Sequence, residues 1–219
     1  MRAVIFGASG GIGAARAENF SVRGEVTRLS RRDNGVDLTD EASIAAGVAT
    51  LSGTYDLVIV ATGALVIDGV GPEKSLRALA PNTLAAQFAL NAVGPALVLK
   101  HMVRLMPRDR PARFAALSAR VGSIGDNGLG GWYAYRAAKA ALNQLIRTAS
   151  IEIARTHPQS VVVALHPGTV DTALTAAHAG GHPTVTPPEA AANILRVLDG
   201  LTPADTGGFF DWKGERIPW

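Results

Sequence analysis

Short runs of β-branched and other apolar residues alternate along the chain with longer stretches in which apolar positions recur at three and four spacing. That is the pattern of helices crossing between parallel strands. Strands are predicted at Ala3–Phe6, Val26–Ser30, Leu57–Ala61, Phe114–Ser118, Val161–His166 and Gly208–Asp211, with a further short one at Val36–Leu38. Several lack polar alternation, as strands covered on both faces do. Helices are predicted over Ile12–Val22, Glu41–Leu51, Asn82–Met106, Trp132–Arg155 and Pro188–Leu198. The fold class is α/β, a doubly wound parallel sheet with helices on both faces.

No repeat or low-complexity linker divides the 219 residues, so residues 1–219 read as one domain. The Gly/Pro-rich stretch Ala179–Pro188 suits neither regular structure, and Ala173–Pro188 lies where a substrate lid would close. Hydrophobic residues at 47% and charged residues at 18% supply a large core and exclude a disordered chain. A formal charge of +3 is spread thinly, and apart from Arg31-Arg32 and the spaced Arg108, Arg110 and Arg113 there is no basic block, so nucleic acid is not an expected partner. Without cysteine there is no disulfide, thiolate nucleophile or thiolate metal site. His178 and His182 are four apart, but Gly180-Gly181 between them argues against a helical ligand pair, and no metal is expected. The apolar run Leu57–Ile67 contains Thr62 and Gly63 and falls well short of the ~20 residues of a spanning helix, so no membrane segment is expected. A strand begins within two residues of Met1, leaving no room for an export leader, and a cytoplasmic location is expected.

The chemistry begins after the first strand, at Gly7-Ala8-Ser9-Gly10-Gly11-Ile12-Gly13. Glycines let a main chain approach a diphosphate closely, and the helix start offers unpaired N–H groups and a positive dipole end. Gly7, Gly11 and Gly13 give G-x-x-x-G-x-G, whose place between the first strand and the first helix marks a dinucleotide site rather than an ordinary tight connection. The second strand ends in Ser30-Arg31-Arg32, where an acid would bond the ribose diol of NAD. A guanidinium there pairs with a 2′-phosphate instead, so NADP(H) is favoured over NAD(H), with Arg31 ahead of Arg32. The alternative is that both arginines are solvated surface residues. Asp37, followed by Leu38, is placed at the adenine amino group or in a turn. The small residues of Ala61-Thr62-Gly63 would let backbone approach the adenosine ribose.

Tyr135 and Lys139 are four apart in a predicted helix and project from one face. A phenol is a poor acid or base at neutral pH, but an ammonium and an oxidised nicotinamide both favour phenolate. Alone, Y-x-x-x-K would more often be a packing tyrosine beside a surface lysine; downstream of a nucleotide turn, the pair reads as acid/base machinery. Asn91 lies four residues before Pro95, which cannot donate to its carbonyl. That carbonyl would be left to hold a water linking Lys139 to solvent, or the kink would serve packing alone.

Together, Gly7-x-x-x-Gly11-x-Gly13, Asn91, Tyr135-x-x-x-Lys139 and Pro167-Gly168 resemble the short-chain dehydrogenase/reductase family across essentially the whole chain. Gly122-Ser123-Ile124, Gly130 to Arg136 and Gly208 to Trp212 look like its C-factor and sniffer-type carbonyl reductase branch. The resemblance implies a Rossmann-type sheet of about seven strands, hydride transfer between NADPH and a small or medium carbonyl or alcohol, and Tyr135 as the proton donor. It implies that Lys139 also holds the nicotinamide ribose, and that Pro167, Gly168, Val170 and Thr172 wrap the nicotinamide. It implies a homodimer or homotetramer built on the two long helices. Two departures stand out: the family serine at the end of the fourth long strand is Ala119 here, and the Asn-Asn-Ala-Gly turn is Val60-Ala61-Thr62-Gly63. Ser118 should point away from the site, which leaves Ser123 as the nearest hydroxyl to take over. The loss keeps a second reading open, a catalytically weakened NADP(H)-binding sensor or signalling protein.

Overall fold

The computed structural model describes residues 1–21, 23–172 and 184–219. Among them six strands form one parallel sheet, β1 (Arg2–Phe6), β2 (Glu25–Leu29), β3 (Leu57–Val60), β4 (Ala112–Leu117), β5 (Ser160–Leu165) and β6 (Phe209–Phe210), in the order β2-β1-β3-β4-β5-β6. The helices are α1 (Gly11–Ser21), α2 (Arg31–Asn34), α3 (Glu41–Ala49), α4 (Pro81–Phe88), α5 (Gly94–Met102), α6 (Tyr133–Ile153) and α7 (Pro187–Gly200). Alternate residues of each strand feed the two faces. Val4, Phe6, Val58, Val60, Phe114 and Val162 join Val98, Met102, Leu142 and Ile146 in one apolar cluster. Ala3, Ile5, Leu57, Ile59, Ala115 and Val163 join Phe20, Ile194 and Leu198 in the other. All four residues of β3 are buried, which explains their unbroken apolar run.

The predicted strand at Val36–Leu38 does not form, because its backbone groups are satisfied locally. Ser30 caps the one-turn helix α2, which ends on a left-handed Gly35, and the Val36 N–H returns to the Ser30 carbonyl. The Asp37 N–H donates to Ser43 Oγ, and Asp37 Oδ1 accepts from the Thr39 N–H in an Asx turn. Val36 and Leu38 still bury their side chains.

The long predicted helix Asn82–Met106 is divided. Residues Ala89–Val93 form a π turn between α4 and α5, and Val103–Leu105 a 3₁₀ turn. Pro95 has no N–H for the Asn91 carbonyl, and the wider turn carries the chain past that missing bond. By length and apolar content the stretch Pro81–Leu105 would suffice to cross a membrane. In this fold Val98, Leu99 and Met102 pack into the core against the sheet, and the buried Gln87 and Asn91 place polar groups within it.

The order of strands reverses between β1 and β3. In open α/β sheets, the carboxyl ends of strands flanking such a point part to leave a crevice for a ligand. The glycine bend, Ser30, Ala61, Ser118 and His166 all follow the carboxyl ends of their strands, so the candidate residues gather along one edge of the sheet.

Candidate active site

β1 delivers the chain to Gly7 at φ 82°, where the N–H groups of Gly7 and Ala8 both donate to the Leu29 carbonyl at the end of β2. The Gly10 N–H returns to the Gly7 carbonyl at 3.1 Å, and α1 starts from this bend. A Cβ on Gly13 would lie 2.2 Å from the Gly7 carbonyl oxygen, and one on Gly7 2.7 Å from Thr62 Cγ2. Both glycines are therefore required for the bend to close against the end of β3. Gly10 and Gly11 are exposed, with Ser9 and Ile12 half-buried, so the outer side of the bend faces the crevice. The first turn of α1 carries no acidic side chain to repel a diphosphate. Thr62 Oγ1 is buried without a hydrogen-bond partner beside this bend, an orphaned polar atom of the kind a ribose hydroxyl satisfies. The residues present fit a dinucleotide.

At the end of β2, Ser30 Oγ accepts the Asp33 N–H and donates to the Asp33 carboxylate, so this hydroxyl works as a helix cap. Asp33 is thereby turned back on its own helix, and Ser30 and Arg32 hold its carboxyl below the usual range. The Arg31 and Arg32 side chains are 81% and 75% exposed, the first 3.8 Å from Asp37 and the second 3.3 Å from Asp33. Asp37 Oδ1 accepts from both the N–H and the hydroxyl of Thr39, and its other oxygen faces Arg31. Asp37 thus closes a turn while its second oxygen stays turned toward Arg31. The side chain of Leu38 belongs to the core, leaving its main chain for a ligand.

Tyr135 is the third residue of α6, and Lys139 follows one turn later. Both are buried, and Lys139 Nζ lies 5.7 Å from the centre of the phenol ring while donating to the Leu117 carbonyl at 2.9 Å. A Cβ at Gly63 would come within 2.8 Å of Asn91 Oδ1 and 3.3 Å of Lys139 Nζ, so both groups meet the same bare stretch of backbone. The side chain of Asn91 makes bonds that the sequence did not announce. Oδ1 accepts the Ala64 N–H at 3.2 Å, and Nδ2 donates to the Ala64 carbonyl at 2.9 Å and to Gln87 Oε1 at 2.6 Å. Gln87 in turn donates to the Leu65 carbonyl. The π turn thus aims an amide clamp at residues 63–65, directly beside the lysine.

Burial works against ionisation of both members of the Tyr–Lys pair. Desolvation pushes the Tyr135 phenol up to about 12 and Lys139 down to about 7, favouring the neutral form of each. A phenol that stays protonated at neutral pH is the form that donates a proton. For Lys139 the folded pKa lies below the unfolded one, so across about pH 7 to about pH 10 the unfolded chain binds more protons and stability rises with pH. The urea midpoint of the protein alone should be higher at about pH 9 than at about pH 7, and Lys139→Met should flatten that rise. An equal slope in the variant would move the effect to another group.

The end of β4 follows the predicted register. Ser118 Oγ donates to Asn143 Oδ1 at 2.7 Å and is wholly engaged with α6. The chain then packs Gly122 against Lys139, where a Cβ would lie 2.7 Å from the lysine Cβ. Ser123 is buried next to this contact, its Oγ accepting the Asp126 N–H at 3.1 Å. Beyond β5 and Pro167, Gly168 takes φ 82° and lies against the Trp212 ring. Val170 pairs with Val185, the Asp171 N–H donates to the Val185 carbonyl, and Thr172 Cγ2 would be 3.0 Å from a Cβ on Gly11. The segment 167–172 thus returns to the glycine bend. The lid predicted over Ala173–Pro188 falls largely outside the described residues, as do His178 and His182.

Three contributors were missed in the sequence. Asn143 continues the Tyr135 and Lys139 spacing by another four residues, a signal that was available. Gln87 stands four before Asn91 in the same way. Glu73, buried against the start of α6, sits in a stretch without periodicity and left no sequence signal.

A family model described as short chain dehydrogenase matches residues 34–181. A 1-hydroxy-2-glutathionyl-2-methyl-3-butene dehydrogenase of Rhodococcus sp. (strain AD45) is 33% identical over 188 residues, covering 84% of this chain and 79% of the relative. The C-signal protein of Myxococcus xanthus is 39% identical over 137 residues, 62% of this chain and 78% of that one. A short-chain dehydrogenase/reductase from Burkholderia multivorans, solved with bound NADP, superposes with a TM-score of 0.81 at 25% identity, over 100% of this chain and 99% of that one. With the glycine bend, the Tyr135–Lys139 pair and the parallel sheet in place, the chain belongs to the short-chain dehydrogenase family of NAD(P)-dependent oxidoreductases.

Proposed function

We propose that this chain reduces small to medium apolar aldehydes or ketones with NADPH. The reading rests above all on the buried Tyr135 phenol on the same helix face as Lys139, whose Nζ lies 5.7 Å from the ring centre. When bound, NADPH supplies hydride to the carbonyl carbon. Tyr135 donates the proton to the carbonyl oxygen, Lys139 holds the nicotinamide ribose, and Asn91 steadies the backbone beside the amine. Ser123 stands in for the hydroxyl missing at Ala119. Were Ser123 removed, losing one donor to a developing oxyanion would cost on the order of 3 kcal/mol, so turnover would be reduced without being abolished. Gly7 to Gly13 take the diphosphate, Ala61 to Gly63 the adenosine ribose, Asp37 and Leu38 the adenine edge, and Pro167 to Thr172 the nicotinamide.

A preference for NADPH over NADH is supported by the exposed guanidinium groups of Arg31 and Arg32 just after β2, with Asp33 engaged by Ser30. Arg31→Asp should weaken NADPH binding about tenfold or more while changing NADH binding less, read by titrating protein against each cofactor. Equal losses for both would return Arg31 to the solvated surface. We further propose a cytoplasmic homodimer or homotetramer paired through α4–α5 and α6, on which Val93, Leu145 and Ile151 are exposed. The competing reading, an NADP(H)-binding sensor, is favoured by Ala119 alone. It predicts tight NADPH binding with no carbonyl turned over.

A further inference from the structure

Helix α6 starts without the usual cap. Gly130, Gly131 and Trp132 take φ values of 65°, 65° and 52° in succession, and Trp132, in the N-cap position, supplies no side-chain cap bond to the helix. The first-turn N–H groups of Tyr133, Ala134 and Tyr135 have no partner inside the helix. Glu73, from the coil between β3 and α4, meets this end twice. Its main-chain carbonyl accepts the Trp132 N–H at 2.6 Å, and its Oε2 accepts the Ala134 N–H at 3.2 Å. The residue is 5% exposed, and its other carboxylate oxygen is buried without a partner. A carboxylate gains at the positive end of a helix, and here it is brought from 61 residues away to the turn that carries the catalytic phenol.

We infer that Glu73 is a positioning residue, a remote cap that fixes the left-handed entry and first turn of α6 and so holds the Tyr135 hydroxyl in place for proton transfer. The inference rests on Tyr135 being the proton donor. Glu73 acts through the helix backbone and touches neither ring nitrogen nor carbonyl. Trp132 is locked between the Glu73 carbonyl and the Tyr135 ring, which it meets edge-on at 6.4 Å, so loss of the cap reaches the phenol by two routes. A displacement of the order of an ångström in a reacting group lowers rate by about 100-fold.

Glu73→Ala, assayed with NADPH and an accepted aldehyde, should lower kcat by about 10- to 100-fold while NADPH affinity stays within about twofold, because the glycine bend is untouched. Hydrogen exchange at residues 132–136 should become faster by a similar factor. Glu73→Gln keeps an acceptor of the same length and should recover most of both. Wild-type kcat in Glu73→Ala overturns the inference, whatever the exchange shows. Should Glu73→Ala fail to fold, Glu73→Asp against Glu73→Gln decides. The shorter carboxylate should lose turnover that the amide keeps, and equal kcat in the two overturns the inference. Tyr135→Phe serves as the reference. Full activity there removes the proton-donor reading itself, whereas an inactive Tyr135→Phe beside an unaffected Glu73→Ala removes only the role of Glu73.

Discussion

Tyr135→Phe should abolish most carbonyl reduction, about 10²- to 10⁴-fold in kcat, with NADPH affinity nearly unchanged. The substitution removes one oxygen atom and leaves the ring, its burial and its contact with Trp132. A phenol is protonated at neutral pH, and burial pushes this one further up to about 12, so the wild-type residue carries the proton that reduction needs. Raising the pH toward the top of the phenol range should disfavour reduction by depleting that proton. Assay of the variant with saturating NADPH and an accepted aldehyde checks the outcome. Wild-type turnover would show that the proton comes from elsewhere.

Arg16→Leu should raise the thermal stability of the protein alone. Arg16 lies on α1 with Ala17 and Phe20, fully buried, and all three guanidinium nitrogens lack a hydrogen-bond partner. Burial alone pushes its pKa down to about 9, which measures how poorly the charge is tolerated there. At neutral pH the cation is still present and its cost is fully felt; because the folded pKa is depressed, relief comes only as pH rises through about 9 toward 12.5. Replacing buried charges with apolar groups of like volume gains about 1–4 kcal/mol, and for a chain of this length each kcal/mol moves Tm by about 2–4 °C. A Tm higher by several degrees is expected by calorimetry. A lower Tm would mean that the guanidinium stabilises the folded chain.

The sheet was legible because its strands are covered on both faces. Leu57 to Val60 carry no polar residue, and such a run between turn residues has few other readings. The glycine bend was legible because a Cβ at Gly13 has nowhere to go, and that constraint is written directly in residue type. Val36–Leu38 misled for the opposite reason: its apolar residues are buried, but Ser30, Asp40 and Ser43 offer its backbone local partners that compete with a ladder. Asn91 was found through Pro95, but the bonds of its side-chain amide to Ala64 and Gln87 were not, since residue spacing does not say which atoms of a residue face inward. How strongly burial weighs on Tyr135 and Lys139 was not legible, because spacing reveals that two groups meet and not how much water they keep. Glu73 was out of reach altogether, its role depending on a contact between segments 61 residues apart.

The central claim is that a phenol and an amine on α6 serve carbonyl reduction by a reduced nicotinamide. Its most direct test is to mix the protein with NADPH and a panel of short to medium aldehydes and ketones while following the absorbance of the reduced nicotinamide. The account predicts loss of that absorbance with at least one carbonyl, matched mole for mole by alcohol. NADPH that binds tightly yet stays reduced with every compound would contradict it.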